Sequence, residues 1–415
     1  MKKKFKLSFY IALAVLLLLS LAAGCNKTGE PSTHWIGIWN GSVTDFTFFK
    51  LSYKNQTLRT VVTSTFEGSK ARIKISNEFG KEPIKIGEAT FAIINSDRNT
   101  IHKDSQRTLS FNGESTVTIE KGAFVWSDPF EFDIKALDKI AVSIYLPNEV
   151  KNITGVCGGA ETYYSQAGNF TSSVDIQKDF KPIGVNGVPK VSPFFTSIEV
   201  TTSEKNGSII AFGDSITTFS WPDYLAKELK TTNIKKLSVI REAIGGNRIL
   251  HNSESKLQGL FGPSGISRFE KAITDHQGAK YVIVLEGVND IMHTGPGGPA
   301  LASEIVSKDQ IINGLEKYIE LAHKHNLKIY GATIMPFKGY EVYTDELDIK
   351  RKEINEWIRT SGKFDGIIDF DKATLDPDDP SKLLPKYDSG DHLHPSDAGG
   401  EAMAKAIDLK LFSGS

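Results

Sequence analysis

One stretch predicts the fold of the second half of the chain: Ile209-Ile210-Ala211-Phe212-Gly213-Asp214-Ser215. Four apolar residues in a row that end at a glycine are typical of a strand buried on both faces. Similar apolar runs follow at 237–240, 281–285, 329–334 and 367–370. Helical patterns separate or follow them at 221–230, 266–274, 310–325, 345–360 and 396–409. This alternation predicts an α/β domain over residues 207–415, with a flavodoxin-like, doubly wound parallel sheet.

Upstream of this stretch the pattern changes to a period of two residues. Alternating runs such as Ala71-Arg72-Ile73-Lys74-Ile75 recur between Gly, Asn, Asp and Pro residues, and helical patterns are nearly absent. Many short strands with turns between them predict an all-β, antiparallel sandwich over residues 36–202. A polar link, Thr202 to Gly207, separates it from the α/β domain. At 415 residues the chain is long enough for two such domains.

The first 25 residues have the pattern of a targeting segment. Lys2, Lys3, Lys4 and Lys6 precede an apolar run from 9 to 21, and Ala22-Ala23-Gly24-Cys25 ends it. The run is shorter than the roughly 20 apolar residues of a spanning helix. Residues 1–25 therefore resemble a bacterial lipoprotein signal peptide with Cys25 as the lipidated residue, although Leu21 stands one place earlier than usual. Ordinary secretion is the alternative. Residues 26–35 are predicted to be a tether, which places the protein outside the cytoplasm, at the cell surface or in the periplasm.

Charge and cysteine content narrow the possible partners. The formal charge is −1, and it becomes −5 without the lysine-rich first 24 residues. No basic stripe lies along the chain, so a nucleic-acid partner is not expected. Cys157 is the one cysteine besides Cys25. We expect Cys157 to be an unreactive, packed thiol, and no disulfide.

Ser215 comes directly after the first predicted strand of the parallel sheet. Ligands of open α/β sheets bind at the carboxyl ends of the strands, so a nucleophile at this position would be accessible to a substrate. The alternative for Gly213-Asp214-Ser215 is a turn in which both side chains only cap backbone amides.

A base for Ser215 can come from Asp391-His392-Leu393-His394-Pro395. A serine hydroxyl needs a neighbouring base, and a histidine base needs a carboxylate that holds its other ring nitrogen. His394 and Asp391, three residues apart in one loop, have these residue types. His392 is the alternative base, but we interpret it as an ordinary loop histidine.

Two further clusters follow the neighbouring strands. Gly245-Gly246 comes after the second strand, and Gly287-Val288-Asn289-Asp290 after the third. A glycine lets a backbone N–H approach a substrate, and an asparagine amide can donate to an alkoxide. Together with the N–H of Ser215, the donors of Gly246 and Asn289 form a candidate oxyanion hole. Either cluster alone would more simply be a turn.

In this order the four clusters resemble the blocks of the SGNH hydrolases, also called the GDSL esterase/lipase family. The resemblance covers residues 207–410 and implies a catalytic triad of Ser215, His394 and Asp391, with no metal or cofactor. Asn55-Gln56-Thr57-Leu58-Arg59 and 75–80 also resemble the leader domain of secreted bacterial SGNH esterases, some of which are linked to xylan breakdown. This resemblance implies a serine esterase that removes small acyl groups, acetyl above all, from a small ester or an acylated polysaccharide. An acyltransferase to a sugar hydroxyl, and a non-catalytic polysaccharide-binding lipoprotein, stay open as alternatives.

Other features receive simpler interpretations. The acidic group from Asp369 to Asp379 lacks the spacing of a calcium-binding loop and is predicted to lie in solvent. Arg248 is expected either to meet an anionic substrate or to form a salt bridge. The segment 295–299, rich in Gly and Pro, is expected to form a loop at the rim of the active site.

Overall fold

The computed structural model describes residues 33–413, except for residues 98, 185–190, 233, 235 and 254–258. The predicted signal peptide and most of the predicted tether lie outside the described residues. Within the described ranges, no helix has the length and apolar character needed to cross a bilayer.

The N-terminal domain, residues 33–203, is built almost entirely of antiparallel strands. They are β1 (Thr33–Asn40), β2 (Val43–Asp45), β3 (Gln56–Thr63), β4 (Gly68–Ser76), β5 (Ile84–Ile86), β6 (Glu88–Ile93), β7 (Arg107–Thr108), β8 (Val117–Ile119), β9 (Phe124–Trp126), β10 (Phe130–Ile134), β11 (Lys139–Leu146), β12 (Thr154–Cys157), β13 (Ala160–Ala167), β14 (Phe180–Pro182), β15 (Val191–Pro193) and β16 (Phe195–Ser203). One short helix, α1 (Ile176–Asp179), and 3-10 turns at Phe46–Phe49 and Lys103–Ser105 complete it.

Two larger sheets form the predicted sandwich. One has the order β1-β16-β4-β10, with β9 also paired to β4, and the other has the order β14-β13-β3-β11-β6-β7. Ile73 and Ile198 from the first sheet and Val142 from the second belong to the same hydrophobic core. Alternating apolar residues on each strand point into this core, because successive side chains of a strand face opposite sides. The all-β prediction for this half of the chain is confirmed.

The C-terminal domain, residues 207–413, alternates strands and helices. Its elements are β17 (Gly207–Gly213), α2 (Ser215–Thr218), α3 (Trp221–Thr231), β18 (Leu237–Ala243), α4 (Gly265–Thr274), β19 (Ala279–Leu285), α5 (Val288–Met292), α6 (Lys308–Lys324), β20 (Lys328–Ala332), α7 (Asp345–Thr360), β21 (Gly366–Ile368), α8 (Phe370–Thr374) and α9 (Asp397–Lys405). Further 3-10 turns lie at Ala302–Glu304, Pro385–Tyr387 and Leu409–Phe412.

All the strands of this domain are parallel, in the order β18-β17-β19-β20-β21. This order, 2-1-3-4-5, is that of flavodoxin-like sheets, and it confirms the predicted fold class. It puts β17 between β18 and β19. Gly213, at the end of β17, pairs with Ala243 on one side and with Leu285 on the other. The loops that follow these three strands therefore meet at one edge of the sheet.

Some predicted segments end too late, for identifiable reasons. Strand β20 ends at Ala332 rather than at 334, because the backbone of Ile334 bonds to side chains of α7: its N–H donates to Asn355 and its carbonyl accepts from Arg351. Strand β21 ends at Ile368 because the Asp369 side chain caps α8. The predicted last helix stops at Lys405, and a separate 3-10 turn follows.

The two domains are joined by a buried polar junction. The carboxylate of Glu242, near the end of β18, accepts hydrogen bonds from Asn40 (2.6 Å) and Ser42 (2.5 Å) of the N-terminal domain. It also pairs with His276 Nε2 at 2.6 Å. Leu260 of the C-terminal domain packs into the core of the N-terminal domain. The junction thus begins three residues before Gly245, close to the edge of the sheet where the clusters meet.

Candidate active site

Ser215 is the first residue of α2, a short helix that the sequence does not predict. The side chain of Asp214 caps this helix and accepts a hydrogen bond from Ile216 N at 3.0 Å. The turn interpretation of Asp214 is thus correct for that residue. The N–H of Ser215 belongs to the first turn of the helix, where backbone donors have no partner within the helix. Asp214 therefore shapes the turn, and the hydroxyl of Ser215 stands at the end of β17.

His394 lies beside Ser215 although 179 residues separate the two in the sequence, and Asp391 lies on the other side of the His394 ring. The Nε2 atom of His394 lies 2.7 Å from Ser215 Oγ, and its Nδ1 lies 2.6 Å from Asp391 Oδ2. When Nδ1 donates to the carboxylate, Nε2 is the nitrogen that can accept the serine proton. The ring of Phe219 stacks on the imidazole, with centroids 5.0 Å apart and planes 12° apart. The three side chains thus have the geometry of a nucleophile, a base and an orienting acid.

The carboxyl of Asp391 is held in its ionised form. Partial burial acts to raise its pKa, but hydrogen bonds from the side chain and backbone of His394 outweigh this and hold the pKa well below the usual range. Asp391 also accepts from the N–H of Leu393 at 3.0 Å. An ionised Asp391 can stabilise a protonated His394.

His392, the alternative base, points elsewhere. Its Nδ1 lies 2.6 Å from Asp388 Oδ2, and 54% of its side chain is exposed, against 19% for His394. Its backbone φ is +66°, so the chain turns sharply between the two histidines. The loop therefore holds two separate Asp–His pairs, of which one contacts Ser215.

The predicted oxyanion residues lie on both sides of Ser215. A Cβ added to Gly245 would stand 3.9 Å from the Cβ of Ser215, which shows how close this loop comes. Gly246 has φ +72°, and a Cβ there would lie 2.2 Å from the ring of Phe261, so the position requires glycine. On the other side, Asn289 lies in the first turn of α5, directly after β19.

Asn289 is positioned by a residue to which the sequence analysis gave no role. Its Nδ2 donates to the carbonyl of Asn247 at 2.8 Å, which links the two flanking loops. Because an amide nitrogen carries two N–H groups, the second can serve an oxyanion. Asp290 continues the link by accepting from Ile249 N (2.7 Å) and Leu250 N (3.1 Å). Asp290 stands in the quoted cluster 287–290 and Asn247 directly follows Gly245-Gly246, so their position after neighbouring strands was an available signal.

A buried arginine below the loops has no signal in the sequence. Arg268 of α4 donates to the carbonyls of Gly213 (2.9 Å) and Glu242 (2.9 Å) and to Asn247 Oδ1 (2.7 Å). It also pairs with Glu286 at 3.4 Å. One guanidinium thus ties together the ends of β17, β18 and β19, and it fixes the loops that carry the site.

Two buried carboxyls near Ser215 have raised pKa values. Burial, followed by repulsion from Glu286, raises the pKa of Asp214 well above its ordinary value. Burial also raises the pKa of Glu286, which accepts a hydrogen bond from Tyr318 at 2.6 Å. The raised pKa of Asp214 reduces its tendency to carry a negative charge beside the nucleophile.

The remaining predicted features have structural roles in the described residues. Arg248 is buried and forms a salt bridge with Glu304 at 3.0 Å. Of the two expected roles, substrate contact or salt bridge, the structure shows the salt bridge. Burial raises the pKa of the Cys157 thiol to about 12, which agrees with an unreactive thiol. In the described ranges, no three His, Cys, Asp or Glu side chains approach closely enough to share a metal ion.

The prediction that the acidic group lies in solvent is wrong for two of its members. Asp369 and Asp371 are bridged by Arg359, at 2.7 Å each, and Asp371 also pairs with the buried Arg351 at 2.6 Å. Burial acts to raise the pKa of Asp369, but hydrogen bonds led by that of Arg359 lower it to about 2. Arg351 and Arg359 both belong to α7, so these ion pairs depend on the packing of α7 against the segment that contains Asp369 and Asp371.

Comparison with known proteins gives a consistent result for the C-terminal domain. Residues 211–402 match the GDSL-like lipase/acylhydrolase family. Among solved structures, the chain is similar to a GDSL-like lipase from Bacteroides thetaiotaomicron, with 18% identity over 51% of this chain and 90% of that one, at a TM-score of 0.38. It is also similar to the acetylxylan esterase Axe2 from Geobacillus stearothermophilus (16% identity, 51% and 97%, TM-score 0.39) and to the M. smegmatis aryl esterase (16%, 50% and 99%, TM-score 0.39). No match was found among curated proteins.

Proposed function

We propose, from the match of residues 211–402 to the GDSL-like lipase/acylhydrolase family, that this chain is a carboxylic ester hydrolase that removes small acyl groups, chiefly acetyl, from carbohydrate. The observation that carries the proposed mechanism is the contact of 2.7 Å between His394 Nε2 and Ser215 Oγ. This contact is the one needed to make a hydroxyl nucleophilic.

In the proposed mechanism, Ser215 attacks the ester carbonyl while His394 takes its proton. Asp391 stabilises the imidazolium, and the oxyanion accepts from the N–H groups of Ser215 and Gly246 and from the amide of Asn289. His394 then gives its proton to the departing alcohol, which leaves an acyl-enzyme on Ser215. Water activated by His394 attacks this intermediate and releases the acid, and Ser215 regains its proton.

The rings beside the oxyanion loop support a short acyl group. Phe261 packs directly on Gly246, and the His293 ring lies 5.1 Å from Phe261. Burial, followed by repulsion from Arg248, lowers the pKa of His293 to about 3, so this ring is neutral and adds no charge near Gly246. Two rings packed at this loop leave less room there for a long chain than for an acetyl group.

Replacing the nucleophile is the direct test. Ser215→Ala should lower kcat for p-nitrophenyl acetate by at least about 10³-fold, because the covalent route is lost. His392→Ala, in the same loop as His394, serves as the matched control and should keep most of the activity. Circular dichroism would show that both variants are folded. Substantial turnover by the Ser215→Ala variant would disprove the mechanism.

We further propose that Cys25 carries a lipid that holds the enzyme at a membrane outside the cytoplasm. The support is the basic start, the apolar run and the small residues before Cys25. Metabolic labelling with a fatty acid should tag the wild-type protein but not a Cys25→Ser variant. Equal labelling of the two would contradict the proposal.

A further inference from the structure

A cavity of about 370 Å³ lies between the two domains, beside His394. The N-terminal domain lines it with the turn between β12 and β13, Cys157-Gly158-Gly159. The C-terminal domain lines it with the stretch from Thr218 to Ser220 and with residues on both sides of His394, among them Ser389 and Pro395. Its volume is at the lower end of the range for small-molecule sites.

The turn from the N-terminal domain is firmly held. The carbonyl of Gly159 accepts from the indole N–H of Trp39 at 2.9 Å, and both Gly158 and Gly159 have positive φ. A Cβ on Gly158 would stand 2.4 Å from the carbonyl oxygen of Thr218. Thr218 in turn donates to the carbonyl of Ser215 at 2.7 Å. The N-terminal domain thus packs against the helix that carries the nucleophile.

A buried arginine connects the turn to the opposite wall. Arg241 of β18 donates to the carbonyl of Phe219 (3.3 Å) and pairs with Asp223 (2.6 Å). A Cβ on Gly159 would stand 2.8 Å from its guanidinium. Arg241 therefore contacts both walls of the cavity and sets the distance between them.

The cavity lies on the histidine side of the site. Phe219, one of its lining residues, stacks on the His394 ring, and Ser389 N donates to the His394 carbonyl at 3.0 Å. Among the described residues, Ser215, His394, Gly246 and Asn289 are all outside the lining, and the cavity adjoins His394 through Phe219 and Pro395. In an ester hydrolase the base gives its proton to the departing alcohol, so the alcohol must lie on the side of the base. The acyl oxygen lies on the side of the oxyanion donors.

The lining also indicates the chemistry of the alcohol. Three serines, Ser220, Ser389 and Ser396, line the cavity together with Phe219 and Pro395. Two carboxylates line the cavity: Asp223, which is paired with Arg241, and Asp397, which accepts a hydrogen bond from Tyr224; in the described lining there is no lysine or arginine. Such a site favours a neutral, hydroxyl-bearing molecule, and it repels an anion.

We propose that this cavity binds the alcohol half of the ester, an uncharged sugar ring, and that the N-terminal domain completes the site with its turn 157–159. The inference rests on the proposed esterase function and assigns the N-terminal domain a part in choosing the substrate. The sequence analysis connects this domain with carbohydrate only through the alternative of a non-catalytic polysaccharide-binding lipoprotein.

Filling the cavity from the N-terminal side tests the proposal. In the full chain, Cys157→Phe should lower kcat/KM for an acetylated methyl xyloside by about tenfold or more. Vinyl acetate has the same acyl group and almost no alcohol, so its kcat/KM should change by less than about twofold. Cys157→Ser, which keeps the size of the side chain, is the control and should change neither. An equal fall for both esters, or no change in either, overturns the proposed site.

A charge reversal at Asp397, an exposed residue at the rim of the cavity, gives a second test. The wild type should prefer an acetylated methyl glucoside over the corresponding glucuronate, and Asp397→Lys should narrow this preference by about three- to fivefold, less so at high salt. Glu401→Lys, one turn further along α9 and outside the lining, should leave it unchanged. An unchanged preference in the Asp397→Lys variant contradicts the proposal. A wild-type protein that fails to hydrolyse even vinyl acetate would instead contradict the esterase function.

Discussion

At the scale of single residues, the loop 388–394 contains two Asp–His pairs that can be compared directly. Two Asp–His pairs with the same Nδ1-to-carboxylate distance of 2.6 Å stand in one short segment, Asp388 with His392 and Asp391 with His394. The pairs differ in what the second ring nitrogen meets. His394 reaches Ser215, and His392 is mostly exposed. The residue types of a pair therefore do not select the candidate base, whereas the position of the imidazole beside Ser215 does.

The two aspartates should therefore differ in their effect on turnover. Asp391→Asn should lower kcat by about 10²- to 10⁴-fold, since the amide neither fixes the tautomer of His394 nor stabilises its protonated form. Asp388→Asn makes the same chemical change three residues earlier and should lower kcat by less than about fivefold. Steady-state assays with p-nitrophenyl acetate check both. Equal losses would mean that Asp391 acts only through the shape of the loop.

At the scale of elements, the site depends on a helix that contributes no reacting group. Arg268 of helix α4 lies beneath the ends of β17, β18 and β19. The Arg268 guanidinium also packs on the ring of Phe212 at 3.9 Å. The partner Glu286 is fully buried beside Tyr318. One cation thus joins the strands from which the loops of Gly246 and Asn289 leave.

Removing this cation should destabilise the domain and impair catalysis together. Arg268→Met leaves Glu286 buried without its cation, which should cost about 3–5 kcal/mol in the free energy of unfolding. It should also lower kcat, because the loop ends lose their shared donor. Lys271→Met, on the exposed face of the same helix, should cost less than about 1 kcal/mol. Urea unfolding and p-nitrophenyl acetate assays measure the two effects, and a stable Arg268→Met variant with full activity would contradict this role.

At the scale of the whole molecule, the junction at Glu242 should make the two domains unfold together. Burial acts to raise the pKa of Glu242, but hydrogen bonds from His276 and Ser42 outweigh it and leave the pKa lowered. Since the folded-state pKa is below the unfolded value of about 4.3, the carboxylate adds stability above that pH. This contribution is lost as the pH falls through the lowered pKa.

Calorimetry can test this coupling. Wild-type protein at pH 7 should unfold in one transition. Glu242→Ala removes the shared carboxylate from Ser42 and His276 and one of the two acceptors of Asn40, so the free energy of unfolding should fall by about 1–3 kcal/mol or the single transition should separate into two. Acidification of the wild type through the pKa of Glu242 should likewise lower the free energy of unfolding. Glu204→Ala, in the link between β16 and β17, is the control. If Glu242→Ala unfolds like the wild type at every pH, the domains are not coupled through this residue.

Much of the architecture was accessible from local pattern. Apolar runs such as 209–212 and the helical spacing of 345–360 follow from burial and from the period of each element, and these are properties of neighbouring residues. The order of the four clusters also limited the chemistry to one kind of site. The errors lie where side chains end an element, as at Ile334 and Asp369, because their partners belong to another helix or turn.

The sequence by itself determined the parallel sheet, the β-rich first half and the identity of Ser215, His394 and Asp391 as candidates, since each depends on residue type and short-range spacing. Only the tertiary structure decided which histidine reaches the serine, which arginine joins the strand ends and where the N-terminal domain contacts the site. These depend on contacts between residues far apart in the chain, as between Gly158 and Thr218 or Ser42 and Glu242. No local pattern encodes such distances, because they are set by how packed layers meet.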